Sequence, residues 1–353
     1  MSPAVSPLEP WLTQRMGLSE LRPESVEAWQ ISELRRTLDW ARQASPFLAR
    51  RLAGLKVESL RSTTDLARLP RMTAADLAEP GLLALSQDEV ARVVSLGTSG
   101  SSGPSKRLYF SEADLSSTLE FFAVGMSTLA GPGDSVLVLL PGRNDNGVAE
   151  LLSRALPSLG ARGVLPPLPA AGAWSLDNLP QLIADEEITV LVAAPRQLQQ
   201  VLEHEGAQAA CRHAVRAVLS SGEPLAPVLR ALAEDMLGCE IFDHWGMTET
   251  GYGGGVECQA HSGYHLREAD LLLEIADPAT GAAQPPGELG EILVTTLGQR
   301  ALPLLRYRSG DAAFWLPSPC ACGSRLRRLG CVPGRLASSG QGIVHCEKGR
   351  GTT

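Results

Sequence analysis

Two sets of residues in this sequence have types and spacings suited to chemistry. The first is the run Ser95-Leu96-Gly97-Thr98-Ser99-Gly100-Ser101-Ser102-Gly103-Pro104-Ser105-Lys106. Its three glycines let the backbone turn without a Cβ penalty and bring several N–H groups to one point. The serine and threonine hydroxyls add donors, and Lys106 adds a point charge. A concave set of donors suits an oxyanion, most simply a phosphate. Pro104 follows Gly103, so the Gly-Lys-Ser/Thr ending of a Walker A loop is missing. Taken alone, the run reads equally as a flexible linker. The second set is Cys258, His261, His265, Cys320 and Cys322. Zn²⁺ favours four Cys or His ligands, and Cys₃His is a common structural set. The Cys320-Ala321-Cys322-Gly323 spacing allows both thiolates to face one ion around a tight turn. Reduced thiols without an ion are the competing reading, and either histidine could complete the set.

The elements around these residues indicate how they are positioned. Residues 1–75 read as an amphipathic helical cap, with Trp29, Ile31, Leu34 and Leu38 near helical spacing and Pro46 and Pro70 as punctuation. From residue 76 to 255 strands and helices alternate. Arg92-Val93-Val94 is a short strand before the Gly/Ser run. Residues 111–129 read as a helix with Ser111 as N-cap and Asp114 in the first turn. Apolar strands are expected at 135–140, 163–165, 188–193, 215–219 and 240–242, with helices at 147–159, 179–186, 195–202 and 226–236. This alternation predicts an α/β fold, a parallel sheet flanked by helices. Ligands in such sheets sit at the carboxyl ends of strands, and that position favours a phosphate role for the Gly/Ser run. Residues 256–335 change to a smaller β-rich lobe, with strands at 271–275, 291–295 and 312–316. Residues 336–353 read as a loosely ordered tail.

The 353 residues suffice for a large core, and 31 basic against 39 acidic residues give a net charge of −8. That balance argues against a broad nucleic-acid surface. No secretory signal or membrane span is apparent, so a cytoplasmic location is expected. Seven cysteines are an odd count, which argues against a disulfide framework. No Gly-x-Ser-x-Gly elbow occurs at residues 97–103, which disfavours a serine hydrolase.

Four segments occur in a telling order: Thr98 to Lys106; Ser221-Gly222-Glu223-Pro224; Asp243-His244-Trp245-Gly246-Met247-Thr248-Glu249; and Arg306-Tyr307-Arg308-Ser309-Gly310-Asp311, followed by Gly334-Arg335. Together they resemble the AMP-forming adenylating superfamily of acyl-CoA ligases, peptide-synthetase adenylation domains and luciferases. The similarity is greatest to the phenylacetate-CoA-ligase-like branch, and it covers about residues 20–335. The resemblance implies that Thr98, Ser99, Gly100, Ser101, Ser102, Gly103 and Lys106 close over the β- and γ-phosphates of ATP. It makes Glu249 the Mg²⁺ ligand and Thr248 the contact to the α-phosphate. Trp245 takes the place of an aromatic against adenine, within the nucleotide-binding segment Asp243, Trp245, Gly246 and Met247. Ser221, Gly222, Glu223 and Pro224 line the adenine edge. Asp311 accepts the ribose hydroxyls, and Arg335 lies near ribose and the hinge. Cys258, His265, Cys320 and Cys322 resemble a structural zinc site of the branch, with Gly263-Tyr264-His265 selecting His265 and His261 as substitute.

The implied reaction is activation of a small carboxylic acid by ATP to an acyl-adenylate, followed by transfer to coenzyme A. An adenylyltransferase acting on a coenzyme or protein, and a nucleotide-binding protein without turnover, are the alternatives. Family members usually carry a C-terminal lid after the Gly-Arg hinge. Eighteen residues follow Arg335 here, so a lid is expected to be absent, supplied by a separate polypeptide, or dispensable. A homodimer is plausible by resemblance alone. The acid pocket is expected near residues 140–144, 220–223 and 246–255, with Gly253-Gly254-Gly255 leaving room for a bulky acid.

Overall fold

The protein is described from a computed structural model covering residues 3–96, 106–167, 175–336 and 343–345. Three helices lead the chain: α1 (Leu8–Met16), α2 (Pro23–Ala44) and α3 (Pro46–Arg51). In α2, proline opens the first turn, where its missing N–H costs nothing. Val26, Ile31, Leu34, Leu38 and Ala41 are buried along one face. Ser45 caps α3 by accepting from the Leu48 N–H at 3.2 Å.

Strands β1 (Val90–Leu96) and β2 (Lys106–Ser111) pair antiparallel with each other alone. The Gly/Ser run therefore joins two strands of a separate hairpin and does not follow a strand of the parallel sheet. Residues Thr98, Ser99, Gly100, Ser101, Ser102 and Gly103 lie outside the described residues. Helix α4 (Glu112–Met126) follows directly. Its capping box is complete: Ser111 Oγ accepts from the Asp114 N–H at 3.1 Å, and Asp114 Oδ2 accepts from the Ser111 N–H at 2.9 Å.

The central layer comes next. Strand β3 (Ser135–Val138) leads to α5 (Val148–Ala155), β4 (Arg162–Val164), α6 (Leu179–Asp185), β5 (Val190–Ala193), α7 (Pro195–Glu203) and α8 (Glu205–Ala214). Strand β6 (Ala217–Ser221), α9 (Pro227–Leu237) and β7 (Glu240–Trp245) complete it. Strands β4, β3, β5, β6 and β7 are parallel in that order. Side-chain alternation divides them. Val136, Val138, Val192 and Leu219 face a core shared with α1–α5, while Leu137, Leu191, Val218 and Ile241 face α6–α9.

Helix α8 occupies residues the sequence reading leaves unassigned. Its N-cap is His204, whose Nδ1 accepts from the Ala207 N–H at 3.1 Å. Histidine is not among the usual cap signals.

The large sheet does not stop at residue 255. Strands β8 (Gly255–Glu257) and β9 (Tyr264–Leu266) add to β7 antiparallel. Strands β10 (Leu271–Ala276), β11 (Gly290–Thr296) and β12 (Tyr307–Ala313) then form a second sheet. A short strand β13 (Arg328–Leu329) closes the edge of the first sheet beyond β9. Strands β14 (Gly334–Leu336) and β15 (Ile343–His345) extend the second. Trp245, Tyr264, Leu271, Ile275, Ile292, Val294 and Leu329 pack between the two sheets. The helical cap likewise shares one core with the α/β layer and with Leu304, Leu305 and Tyr307. Among the described residues no helix is long and apolar enough to cross a membrane.

Candidate active site and thiol cluster

The end of β7 and the turn after it gather most of the expected site. Side chains alternate along a strand, so Asp243 and Trp245 face the second sheet and His244 faces α4. Trp245 is buried, and its Nε1–H donates to Asp311 Oδ2 on β12 at 3.1 Å. Arg335 on β14 pairs through Nε with Asp311 Oδ1 at 3.2 Å and donates to the Ser309 carbonyl at 2.5 Å. These three residues are thus adjacent, on three strands. Asp311 Oδ2 has the Trp245 donor and Oδ1 faces the Arg335 guanidinium as an ion pair, so both oxygens keep a lone pair for a hydroxyl. Burial raises the Asp311 pKa, and the Trp245 hydrogen bond and the Arg335 charge work against that rise.

Thr248–Thr250 forms a short helical turn, closed by Gly251 at φ 68°. Thr250 Oγ1 accepts from the Met247 N–H at 3.2 Å, which fixes the turn. Glu249 projects from it with its side chain 7 % exposed. Its Oε1 accepts from the Tyr307 hydroxyl at 3.0 Å and lies 3.9 Å from Lys106 Nζ. Among the described residues no hydrogen-bond donor addresses Glu249 Oε2. Lys106, at one end of the Gly/Ser run, is therefore brought to Glu249 by the β1–β2 hairpin. Burial, then the Glu249 charge, holds the Tyr307 hydroxyl protonated. The arrangement presents a carboxylate with a spare oxygen, a cation, and the second carboxylate of Asp311 on neighbouring elements. A hard carboxylate of this kind can share a divalent cation with phosphate oxygens.

Two expected residues sit differently. Asp243 is only 3 % exposed. Its Oδ2 accepts from the Tyr264 hydroxyl at 2.6 Å, and its Oδ1 accepts from the His244 N–H at 3.0 Å. Nearby, Glu257 Oε2 accepts from Arg230 and from the Asp243 N–H, at 2.8 and 2.9 Å. The Asp243 carboxylate is thus engaged inside the protein, away from the surface of the site. Ser221 turns inward, with Oγ 2.9 Å from His244 Nδ1, while Gly222 and Glu223 are exposed and Pro224 is half-buried. Gly246, Met247 and Thr248 are half-buried in the turn itself.

Behind the turn lies an apolar cavity of about 400 Å³, taking in open solvent at its mouth. Phe121, Phe122 and Met126 from α4, Val148 and Leu152 from α5, and Leu140, Val192 and Leu219 near the strand ends line it. Ser221, His244 and Tyr252 complete the wall. Of the segments expected to hold the acid, Leu140, Ser221 and Tyr252 are here. The contributions of α4 and of His244 were not legible. The expected room beside Gly253 and Gly254 is taken. A Cβ on Gly253 would lie 2.4 Å from the Phe121 ring, and one on Gly254 2.4 Å from the Trp245 ring. Those glycines permit close packing and do not supply pocket space.

The thiol cluster is closed. Cys258, His265, Cys320 and Cys322 are all buried, and one ligand atom from each lies within 4.8 Å of every other. Cys258 Sγ and Cys320 Sγ are 3.7 Å apart, and Cys322 Sγ and His265 Nε2 are 3.6 Å apart. Zn–S bonds of about 2.3 Å and Zn–N bonds of about 2.0 Å in a tetrahedron give edges of roughly 3.5–3.8 Å. The donor set thus fits zinc by type, number and spacing. His261, the substitute, is elsewhere: its ring packs on Phe242 at 4.6 Å between centroids, and Nδ1 lies 3.6 Å from Glu257.

The α/β sheet thus carries Trp245 and Glu249 at and just beyond the end of β7, facing Asp311 on β12 of the second sheet. Residues 79–298 match the AMP-binding enzyme family, and the chain belongs to it. The phenylacetate-coenzyme A ligase of Thermus thermophilus is 29 % identical over 335 residues, 90 % of this chain and 72 % of that ligase. The phenylacetate-coenzyme A ligase of Pseudomonas putida is 28 % identical over 340 residues, 91 % of this chain and 74 % of that ligase. Among solved structures, an open conformation of 2-hydroxyisobutyryl-CoA ligase, in complex with 2-HIB-AMP and CoA, shares the fold. Its TM-score is 0.77 at 22 % identity, covering 90 % of this chain and 76 % of that one.

Proposed function

We propose that this protein activates a carboxylic acid with ATP to an acyl-adenylate and then transfers the acyl group to coenzyme A. The observation that carries this reading is the convergence of Lys106, Tyr307 and Glu249 beside the Trp245–Asp311–Arg335 chain. Membership in the AMP-binding family and similarity to phenylacetate-CoA ligases support it. A carboxylate oxygen of the acid attacks the α-phosphorus of ATP, and the bond to pyrophosphate breaks. The sulfur of coenzyme A then attacks the acyl carbonyl, its proton is lost, and AMP leaves. Neither step needs a covalent enzyme intermediate, so the chain acts by positioning and charge stabilisation.

In this reading, Asp311 takes the ribose hydroxyls and Trp245 backs the adenine, with Gly222, Glu223, Pro224 and the backbone of Ser221 at its edge. The Gly/Ser run Thr98 to Gly103, with Lys106, encloses the outer phosphates. Thr248 lies by the α-phosphate. Glu249 would hold Mg²⁺, which would neutralise charge on the phosphates. Tyr307 orients the Glu249 carboxylate through its hydrogen bond to Oε1. Cys258, His265, Cys320 and Cys322 would hold a structural Zn²⁺.

The test is acid-dependent ATP–pyrophosphate exchange with Mg²⁺, followed by thioester analysis on adding coenzyme A. Exchange that an acid stimulates and Glu249→Gln abolishes is expected. ATP binding without exchange across aryl, aliphatic and amino acids would sink the adenylation step. Exchange with a stable AMP adduct and no thioester would sink the coenzyme A step.

A further inference from the structure

The apolar cavity behind the Gly246–Glu249 turn contains one polar atom with no assignment. His244 lines the cavity, and its Nε2 is buried without a hydrogen-bond partner. A buried imidazole nitrogen without a partner carries the full desolvation penalty of its burial, so the arrangement is costly unless a ligand completes it. The other polar side chains in the wall are already engaged. Ser221 Oγ is 2.9 Å from His244 Nδ1, and the Tyr252 hydroxyl lies in the field of the Arg92 charge.

The position is suited to the reacting acid. His244 immediately precedes Trp245 and faces the opposite side of β7. A Cβ on Gly246 would lie 2.8 Å from His244 Cε1 and 2.6 Å from the Tyr252 carbonyl oxygen. An acid with its carboxylate at the turn would therefore extend its body past His244, between Phe121, Phe122 and Tyr252. We propose that the substrate is an acid with an apolar, ring-sized body bearing one hydroxyl group, which exchanges a hydrogen bond with His244 Nε2. This rests on the acid-activating function proposed above.

The hydroxyl follows from the chemistry of the pair. Burial pushes the His244 pKa down to about 4, so the ring is neutral near pH 7. A neutral ring whose Nδ1 faces a serine hydroxyl has two tautomers, because serine can donate or accept. Nε2 is then an acceptor or a donor, and a hydroxyl answers both. No charged side chain lines this cavity among the described residues. An ammonium or a second carboxylate on the body would therefore be buried unpaired.

The experiment compares acids that differ only at this group: phenylacetate, its three ring-hydroxylated forms, and the corresponding methyl compounds. Direct binding by calorimetry and ATP–pyrophosphate exchange are both measured, on the full chain and on His244→Phe and His244→Gln. For the full chain, one hydroxylated isomer should exceed its unsubstituted and methyl counterparts about 10- to 100-fold in affinity and in kcat/KM. His244→Phe should bring that ratio to within about threefold, and His244→Gln should retain part of it. Circular dichroism and an unchanged ATP affinity show that the variants are folded. Equal use of the plain and hydroxylated acids by the full chain would overturn the proposal, as would a preference unaltered in His244→Phe. A hydroxyl preference in binding without any exchange leaves the pocket assignment standing and defeats adenylation. Binding of none of the acids overturns the pocket assignment, whether or not exchange occurs with other acids.

Discussion

The carboxylate site and the thiol cluster are both built from side chains far apart in sequence, but they differ in what completes them. The thiol cluster closes on itself. Its four ligand atoms face one another, and all four residues are buried. The carboxylate site leaves capacity unused. Glu249 offers Oε2, and Asp311 has lone pairs to spare beside the Trp245 hydrogen bond and the Arg335 ion pair. A structural site gains by satisfying every group inside the protein, whereas a substrate site must keep polar groups partly unpaired until the ligand arrives. Disturbing the first should therefore cost stability, and disturbing the second should cost rate.

The largest effect is expected at the cluster. The loop that carries Cys258 also receives the N-terminal segment, through the Ala4 N–H and Gln259 Oε1 at 3.2 Å. Metal analysis should find about one zinc per chain. Cys320→Ser or strong chelation should lower stability by on the order of 5 kcal/mol, seen as a fall in Tm. A metal-free chain with an unchanged Tm would show that the thiols stand alone. Glu249→Gln should behave in the opposite way. The amide oxygen can still accept from Tyr307, so Tm should hold within about 1 kcal/mol of equivalent stability. Exchange should fall by about 10²- to 10³-fold. A large fall in Tm, or exchange near the original rate, would remove Glu249 from the chemistry.

The same contrast explains what was legible in the sequence. The strands β3, β5 and β6 are short runs buried on both faces, and their apolar composition declared them. The order of the motifs declared Glu249, Trp245, Asp311 and Arg335, which the fold brings to one place. The thiol cluster was legible because Cys and His carry few other readings at that spacing, although only the fold separates His265 from His261. The cavity wall was less legible. Phe121, Phe122 and Met126 on α4 have the same pattern as core residues, since sequence periodicity distinguishes inside from outside but not core from cavity. The role of His244 was carried by strand parity alone: the neighbour of an inward Trp245 must face the other way. Asp243 shares the parity of Trp245, yet Tyr264 claims its carboxylate, a contact made by a strand twenty-one residues away.

Asp243 also provides a pH dependence. Burial first, with Glu257 adding to it against the Tyr264 and Arg230 contacts, raises its pKa from 3.8 to about 7. Between those values the folded protein keeps a proton that the unfolded chain has lost. The stability contributed by the protonated form is fully present below 3.8 and is lost as pH rises through about 7. The slope approaches ~1.4 kcal/mol per pH unit. Asp243→Asn keeps an acceptor for Tyr264 and cannot ionise. Denaturant unfolding between about pH 4 and about pH 8, which spans nearly all of the interval over which Asp243 titrates, should give a flatter profile for the variant. Parallel profiles would mean that Asp243 ionises normally in the fold.

The smallest expected effect separates the two faces of β7. Trp245→Phe retains an aromatic ring against Gly254 but removes the N–H that reaches Asp311. That loss should cost about 0.5–1.5 kcal/mol. If Trp245 faces the nucleotide as proposed, KM for ATP should rise a few-fold while the ratio between hydroxylated and plain acids stays fixed. His244→Phe, one residue earlier, should do the reverse. A single strand can serve both parts of the reactants because alternate side chains never share a face. If Trp245→Phe altered the acid ratio as strongly as His244→Phe, the faces would be coupled through the turn, and the division of labour along β7 would fail.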